Sequence, residues 1–313
     1  MRAPQRKLGL RGGEKVAYLG PAGTYSEEAL RVSAPADVEE VPYPTIHGAV
    51  MAVEEEAVER AVVPIENALE GSVAVTLDTL AVEATSVRIA AEVVHPIHHC
   101  VVAARELELD EVTRIVSHPQ ATAQCERFLR ERLAYAERVV APSTAEAVLS
   151  VRDAREPAVA LGSRLAAELY GCVVLAADVE DHPDNATRFV WLARADAVGD
   201  PGGEAKTSVV FWGGGDQAPG WLVGVLREFS DRGVNLTRIE SRPRRVRLGH
   251  YMFFADLEGA AARPPVSDAL DALRGRVEEI RILGSYTSVG GSAGYTGRHH
   301  GRTRGPGGRN RGG

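Results

Sequence analysis

Four short polar segments carry residue types from which a small anionic ligand could be held and given a proton. Gly20-Pro-Ala-Gly-Thr-Tyr-Ser26 sets two hydroxyls, Thr24 and Ser26, at a helix start, behind glycines that let a backbone come close. Pro64-Ile-Glu-Asn67, with Glu70-Gly71 beyond it, places a carboxylate and an amide just after an apolar run. Ser117-His-Pro-Gln120 offers a hydroxyl before another helix, and Gln124 lies one turn beyond Gln120 on the same face. Asp184-Asn-Ala-Thr-Arg-Phe189 puts the Thr187 hydroxyl beside the Arg188 guanidinium, ahead of the apolar Val190-Trp-Leu192. Helix N-termini favour negative charge through unpaired N–H groups and the helix dipole, so hydroxyls and amides gathered there suit carboxylates. Taken singly, each segment reads equally as a capped turn or a polar loop.

Other chemistries have no signature. The glycine turn is neither GxGxxG nor a P-loop, so no nucleotide is indicated. Cys100, Cys125 and Cys172 stand far apart, outside any metal-ligand spacing, and read as reduced thiols. His47, His95, His98, His99, His118 and His182 are scattered without a carboxylate or thiol at ligand spacing, and read as packing or surface residues. No serine sits in a nucleophile elbow. Neither a metal nor a cofactor is expected.

The elements that must position these segments alternate. Lys15 to Leu19 reads as a strand, and Thr24-Tyr-Ser-Glu27 as a capping box opening a helix. Helices over 45–58 and 73–83 and strands over 60–64 and 87–94 follow. After Pro96, strands near 100–103, 114–116, 138–140 and 158–161 alternate with helices over 120–132, 144–153 and 163–170. This predicts an α/β fold of two lobes with mostly parallel sheets, binding ligands at the carboxyl ends of strands. Polar, glycine-rich 196–205 reads as a linker. Strands at 208–212, 234–240, 251–257 and 277–283, with helices over 220–232 and 266–274, then give βαββαβ, a ferredoxin-like domain of about 80 residues.

The 313 residues are 44% hydrophobic and 25% charged, a balance that suits a soluble globular protein rather than a membrane or wholly disordered one. Residues 290–313 carry ten glycines, five arginines and no carboxylate, while the rest carries 31 basic against 43 acidic residues. A body of charge −12 argues against nucleic acid as a partner. Residues 1–14 are basic without an apolar stretch, and no run approaches 18 apolar residues, so a cytoplasmic protein with no membrane partner is expected.

In order along the chain, Gly20-Pro-Ala-Gly-Thr-Tyr-Ser26, Val63-Pro-Ile-Glu-Asn67, Ser117-His-Pro-Gln-Ala-Thr-Ala-Gln-Cys125, Leu169-Tyr-Gly171 and Asn185-Ala-Thr-Arg-Phe189 resemble the motifs of the prephenate dehydratases. Gly233-Val-Asn-Leu-Thr-Arg-Ile-Glu-Ser-Arg-Pro243 is similar to the signature of that family's ACT regulatory domain. The resemblance spans about Lys15 to Tyr286. It implies a catalytic domain over 15–195 with two lobes like those of type 2 periplasmic binding proteins, crossing near 94–98 and 178–187. The linker 196–205 and a ferredoxin-like ACT domain over 206–286 follow, flanked by an extension over 1–14 and a disordered Gly/Arg-rich tail over 287–313.

The implied reaction turns prephenate into phenylpyruvate, carbon dioxide and water, without a cofactor. Thr187 matches the essential threonine and is expected to act as an oriented hydrogen-bond donor to the leaving hydroxyl. Thr24, Ser26, Asn67, Ser117 and Gln124 would hold the two carboxylates. Arg188 would add charge there or serve a structural ion pair, and Glu66 would take a supporting role. Phenylalanine would bind between ACT domains of a homodimer or homotetramer, at Gly220-Trp221-Leu222, Asn235, Leu236 and Glu240-Ser241-Arg242-Pro243. The family's Gly-Ala-Leu is Gly220-Trp-Leu222 here, so the indole either fills part of the effector pocket, or turns outward or packs between subunits. Arogenate is the alternative substrate and a prephenate decarboxylase the alternative enzyme. A non-catalytic anion or amino-acid receptor is the alternative of another class.

Overall fold

The computed structural model describes residues 10–34, 37–202, 204–215 and 218–288. In the first lobe, β1 (Lys15–Leu19) runs parallel to both β2 (Glu39–Tyr43) and β3 (Arg60–Asn67). Between them lie α1 (Tyr25–Ser33) and α2 (Ile46–Glu54). Val16, Ala17 and Tyr18 are buried in succession, as a strand covered on both faces requires. The short β4 (Gly71–Ser72) and α3 (Ala74–Val82) lead to β5 (Val87–Pro96).

The chain then leaves this sheet for a second, five-stranded one. It comprises β6 (Cys100–Ala103), β7 (Arg114–Ser117), β8 (Glu137–Val140), β9 (Ala158–Gly162) and β10 (Val173–Ala176), in the order β10-β6-β9-β7-β8. The helices α4 (Pro119–Gln124), α5 (Glu126–Arg132), α6 (Thr144–Arg152) and α7 (Arg164–Tyr170) connect these strands. A returning crossover brings β11 (Ala186–Arg194) back between β3 and β5, antiparallel to both. The sheets are therefore mixed rather than mostly parallel. The cause is that return, together with the antiparallel placing of β6 against both β9 and β10.

The C-terminal module comprises β12 (Lys206–Trp212), α8 (Trp221–Ser230), β13 (Leu236–Pro243), β14 (Tyr251–Glu258), α9 (Val266–Arg274) and β15 (Glu279–Ser288). Its antiparallel order, β13-β14-β12-β15, is that of a ferredoxin-like sheet. Thr287 and Ser288 of β15 pair in parallel with Ala91 and Glu92 of β5, so module and first lobe share one ten-stranded sheet. Gly284 permits the junction: a Cβ there would stand 2.3 Å from the Ile89 carbonyl oxygen.

Side-chain alternation distributes this sheet's two faces. Val209, Phe211, Ala255 and Leu257 pack under α8 and α9, with Phe229 and Leu273. Val210, Met252, Phe254 and Tyr286 instead join Leu77 and Leu80 of α3 in one core with the first lobe. Phe254 and Tyr286 are at most 1% exposed, and each such burial contributes about 2 kcal/mol. The module is thus fused to the lobe through packed apolar surface as well as strand pairing.

Several local expectations change. The last strand runs to Ser288 rather than ending at 283, because its final residues gain partners on β5. The strand β2, with Pro42 and charged Glu39 and Glu40, carried no apolar pattern and was not expected. No capping box forms at α1: the Thr24 hydroxyl donates to the Leu19 carbonyl, and the Glu27 carboxylate accepts the Gly23 N–H. The terminal extension before Leu10 and the tail beyond Ser288 lie outside the described residues.

Candidate functional site

The ends of β3 and β11, the first crossover and α4 converge on one chain of hydrogen bonds. Thr187 opposes Asn67 in the β11/β3 register, and the side chains share a face, so the Asn67 amide donates to Thr187 Oγ1 at 2.9 Å. Asn67 also donates to Asn185 Oδ1 at 3.0 Å, with a longer contact to the Ala186 carbonyl. Asn185 donates to Gln124 Oε1 at 3.0 Å. His99 Nε2 lies 3.0 Å from the same oxygen, and His99 Nδ1 lies 2.9 Å from the Tyr25 hydroxyl. All six residues are buried or nearly so, which makes each bond count for more than it would in water. One donor is left over: Gln124 Nε2 is buried with no protein partner.

The two lobes also meet at the glycine turn. Ser163 donates to the Gly23 carbonyl at 2.8 Å and Tyr170 to the Ala22 carbonyl at 2.6 Å, so the start of α7 and its Leu169-Tyr-Gly171 end clasp the turn before α1. Gly23, at φ +86°, fits because it has no Cβ; one would lie 2.9 Å from Ala166. Glu27 braces the turn from within α1 and pairs with Arg31 at 2.5 Å. Burial raises the Glu27 pKa above its ordinary value, against the opposing pull of the Gly23 N–H and Arg31.

The expected ligand-holding residues divide. Thr187, Asn67 and Gln124 come together, and Ser26 lies buried in the first turn of α1. Thr24 and Ser117 spend their hydroxyl protons on the carbonyls of Leu19 and His118, so neither is a free donor. Arg188 and Glu66 occupy the opposite face of their strands from Thr187 and Asn67, since successive side chains alternate. Of the two readings of Arg188, the ion pair is the one present. Its guanidinium lies 2.7 Å from Asp256 of β14, 3.1 Å from Glu66 and 3.2 Å from Glu92. Burial alone would lower the Arg188 pKa, but Tyr286, Asp256 and Glu92 outweigh it and hold the group charged.

On the C-terminal module, Gly220, in a left-handed conformation, precedes α8, and Gly220 and Asn235 are exposed. Trp221 packs inward against Phe211 and Phe253, and its Nε1 donates to the Arg276 carbonyl. Leu222 and Leu236 lie against the module's own core. Glu240 and Arg242 face the first lobe instead of an effector cavity. Glu240 accepts from Ser72, and Arg242 donates twice to Asp78, at 2.6 and 2.9 Å. Ser241 and Pro243, alternate residues on β13, are exposed.

Asn185 and Tyr25 lie inside the motifs without a role legible in the sequence, and His99 reads there as a packing or surface residue. The available signal was their position beside residues that carry chemistry. Nothing local marks His99, whose partners come from α1 and α4. Burial pushes the Cys100 and Cys125 thiols above their ordinary range, which leaves them weak nucleophiles. Among the described residues no helix is long and apolar enough to cross a membrane.

A two-lobed α/β unit with a polar network where the lobes meet, joined to a βαββαβ module, defines the class: a two-lobed α/β protein carrying a ferredoxin-like domain. The prephenate dehydratase family model matches residues 16–197 and the ACT domain model residues 207–275, and the chain belongs to the prephenate dehydratase family. It is 39% identical over 280 residues to the prephenate dehydratase of Amycolatopsis methanolica, covering 89% of this chain and 90% of that one. The fold matches the prephenate dehydratase of Arthrobacter aurescens, solved in complex with L-Phe, at a TM-score of 0.80 and 38% identity, over 87% of this chain and 90% of that one. It also matches GqqA, described as a novel type of quorum quenching acylase, at a TM-score of 0.79 and 33% identity, over 88% and 98% of the two chains.

Proposed function

We propose that this chain converts prephenate to phenylpyruvate, carbon dioxide and water at the junction of its two lobes, with Thr187 as the group that acts on the leaving hydroxyl. The observation that carries this reading is the direction of the Asn67 bond. Because Asn67 donates to Thr187 Oγ1, that oxygen's lone pair is engaged and its own proton is left for an external acceptor. In the substrate, the bond to the ring carboxylate breaks and its electron pair enters the ring. The C–O bond to the ring hydroxyl breaks in turn, and the hydroxide leaves as water with the proton supplied to it. Aromatisation drives the step, so the protein needs only to orient the substrate and stabilise charge on the departing oxygen. Threonine is too weak an acid to be a free proton source. Its role is a fixed hydrogen-bond donor, with water completing the transfer.

Two carboxylates must be held in a chain whose sequence carries a net charge of −7. The unpartnered Gln124 Nε2, Ser26 and the backbone N–H groups at the start of α1 are the donors free to do so. Thr24, Asn67 and Ser117 support these groups from behind, and Arg188 and Glu66 tie the catalytic strands to the C-terminal module. The reading carries phenylalanine as effector at the exposed Gly220 and Asn235 positions, between modules of two copies. The three free thiols suit a reducing cytoplasm.

An acylase reading would need a base to take the proton of a nucleophilic hydroxyl. Among the described residues, the hydrogen-bond partner of Thr187 is an amide donor, Asn67, which gives such a nucleophile no activation. The test is purified protein mixed with prephenate, following phenylpyruvate by its absorbance in alkali, with arogenate in parallel, following its product phenylalanine by chromatography. Phenylpyruvate from prephenate is expected. No product from prephenate, or turnover of arogenate alone, overturns the substrate assignment.

A further inference from the structure

The hydrogen-bond chain has a fixed direction, and the backbone sets it. Asn67 Oδ1 accepts the N–H groups of Leu69 and Glu70, both at 3.0 Å, so the amide cannot be turned round and must present Nδ2 to Asn185 and Thr187. Asn185 must then offer Oδ1 to Asn67, which leaves its own Nδ2 to donate onward. Gln124 has to answer with Oε1, and that same oxygen faces His99 Nε2. Two acceptors cannot meet there, so His99 must carry a proton on Nε2. In the neutral ring Nδ1 is then an acceptor, and the Tyr25 hydroxyl, 2.9 Å from it and 2.8 Å from the His98 carbonyl, shares its one proton between these two acceptors.

Reversing any one member would set donor against donor at the next. A buried mismatch of this kind leaves polar groups unsatisfied, so the chain is all in one direction or broken. Its two outputs are the features the proposed chemistry needs: Thr187 with its proton free, and Gln124 with Nε2 free. His99 sits at the end remote from Thr187, on the crossover between the lobes, and is 2% exposed.

We propose that His99 is a positioning residue for catalysis: as the Nε2–H tautomer it orients Gln124, and through Asn185 and Asn67 it reinforces the orientation of the Thr187 hydroxyl. This inference rests on the proposed reaction for its kinetic consequence, while its tautomer claim stands without it. Nothing about the residue's type distinguishes it from the other histidines. Its role lies in which nitrogen is committed to which partner.

The test uses the full chain, in three parts. Nitrogen-15 NMR of the histidine rings, with His99 assigned by its absence in His99→Gln, should show Nε2 protonated and Nδ1 bare. A neutral ring protonated on Nδ1 would overturn the proposal whether or not prephenate is turned over. In kinetics, His99→Asn, too short to reach Gln124, should lower kcat about tenfold to a hundredfold with a smaller change in KM. His99→Gln, which can restore a donor at the Nε2 position, should recover most of that loss. In an Asn185→Ala background, His99→Asn should cost little further, since the route to Thr187 is already cut. Equal kcat for His99→Asn and wild type, or fully additive losses in the double variant, would overturn the proposal.

Discussion

Arg188 Nη1 lies 2.7 Å from Asp256 Oδ2, joining the strand of the site to the C-terminal module by a buried ion pair one residue from Thr187. Asp256 is 2% exposed, accepts the Ser208 hydroxyl as well, and the Tyr286 hydroxyl bonds that same serine at 2.6 Å. Glu66 and Glu92 complete the carboxylate set around the guanidinium, and Lys206 reaches Glu92 at 2.8 Å. A second contact zone runs along β13, where Arg238 and Glu240 meet Ser72 and Arg242 meets Asp78. Any displacement of β13 or β14 by an effector therefore bears on the strand ends that carry Asn67 and Thr187.

Removing Arg188 strands its partners. Arg188→Met leaves Asp256 and Glu92 without their central counter-charge, a loss of about 3–5 kcal/mol by the general behaviour of broken buried pairs. Denaturant midpoints of wild type and variant check this. Midpoints within experimental error of each other would show that the cluster does not hold the module to the lobe. Burial alone would raise the Asp256 pKa, but Arg188, Ser208 and Arg238 reverse that and keep it below the ordinary 3.8. A lowered carboxyl stabilises the fold above its unfolded value, and that contribution is lost as pH falls through the folded value. Acid unfolding of the wild type below about pH 4 should thus include this group.

The clasp at the glycine turn predicts the effect of one methyl group. Gly23→Ala forces a Cβ to within 2.9 Å of Ala166 at a positive φ, so α7 must move off the turn that Ser163 and Tyr170 hold. A stability loss of about 1–3 kcal/mol is expected, together with a raised KM for prephenate as the lobes lose their contact. Thermal melts and steady-state kinetics read the two effects. An unchanged melting temperature with unchanged KM would show that the contact is slack.

The His99 ring also has a stability signature. Burial lowers its pKa below the ordinary 6.5, although the hydrogen bond to Gln124 and the nearby Glu180 and Glu28 oppose this; His98 adds to the lowering, and Tyr25 meets Nδ1. The unfolded chain therefore binds a proton before the folded one does, and this group's contribution is lost as pH drops below 6.5 toward the folded value. The gap in unfolding free energy between wild type and His99→Gln, which cannot titrate, should shift against the wild type between pH 7 and pH 5. A gap independent of pH would contradict a neutral buried ring.

The strong sequence signals were those in which a short segment forms its own structure. Lys15–Leu19 as a strand, the helix near Gly220 to Arg232 and the βαββαβ order are written in local periodicity and turns. Thr187, Asn67 and Gln124 are legible as motif members, yet the Asn67–Thr187 bond spans 120 residues and the two links through Asn185 span 118 and 61, and no spacing encodes those. Arg188 and Glu66 were drawn toward the ligand because each neighbours a residue of the site. Strand alternation turns such neighbours to opposite faces, and the strand boundaries needed to see this were not legible at Asp184 to Phe189. His99 was hidden for a further reason: its role depends on a tautomer set by three amides and two backbone N–H groups, none adjacent to it in sequence.

The most direct test of the account is the kcat for phenylpyruvate formation from prephenate by wild type, Thr187→Ser and Thr187→Ala. A donor hydroxyl held by Asn67 predicts that the serine variant retains turnover within about tenfold, while the alanine variant loses about a hundredfold to a thousandfold. Equal turnover by all three proteins would contradict it.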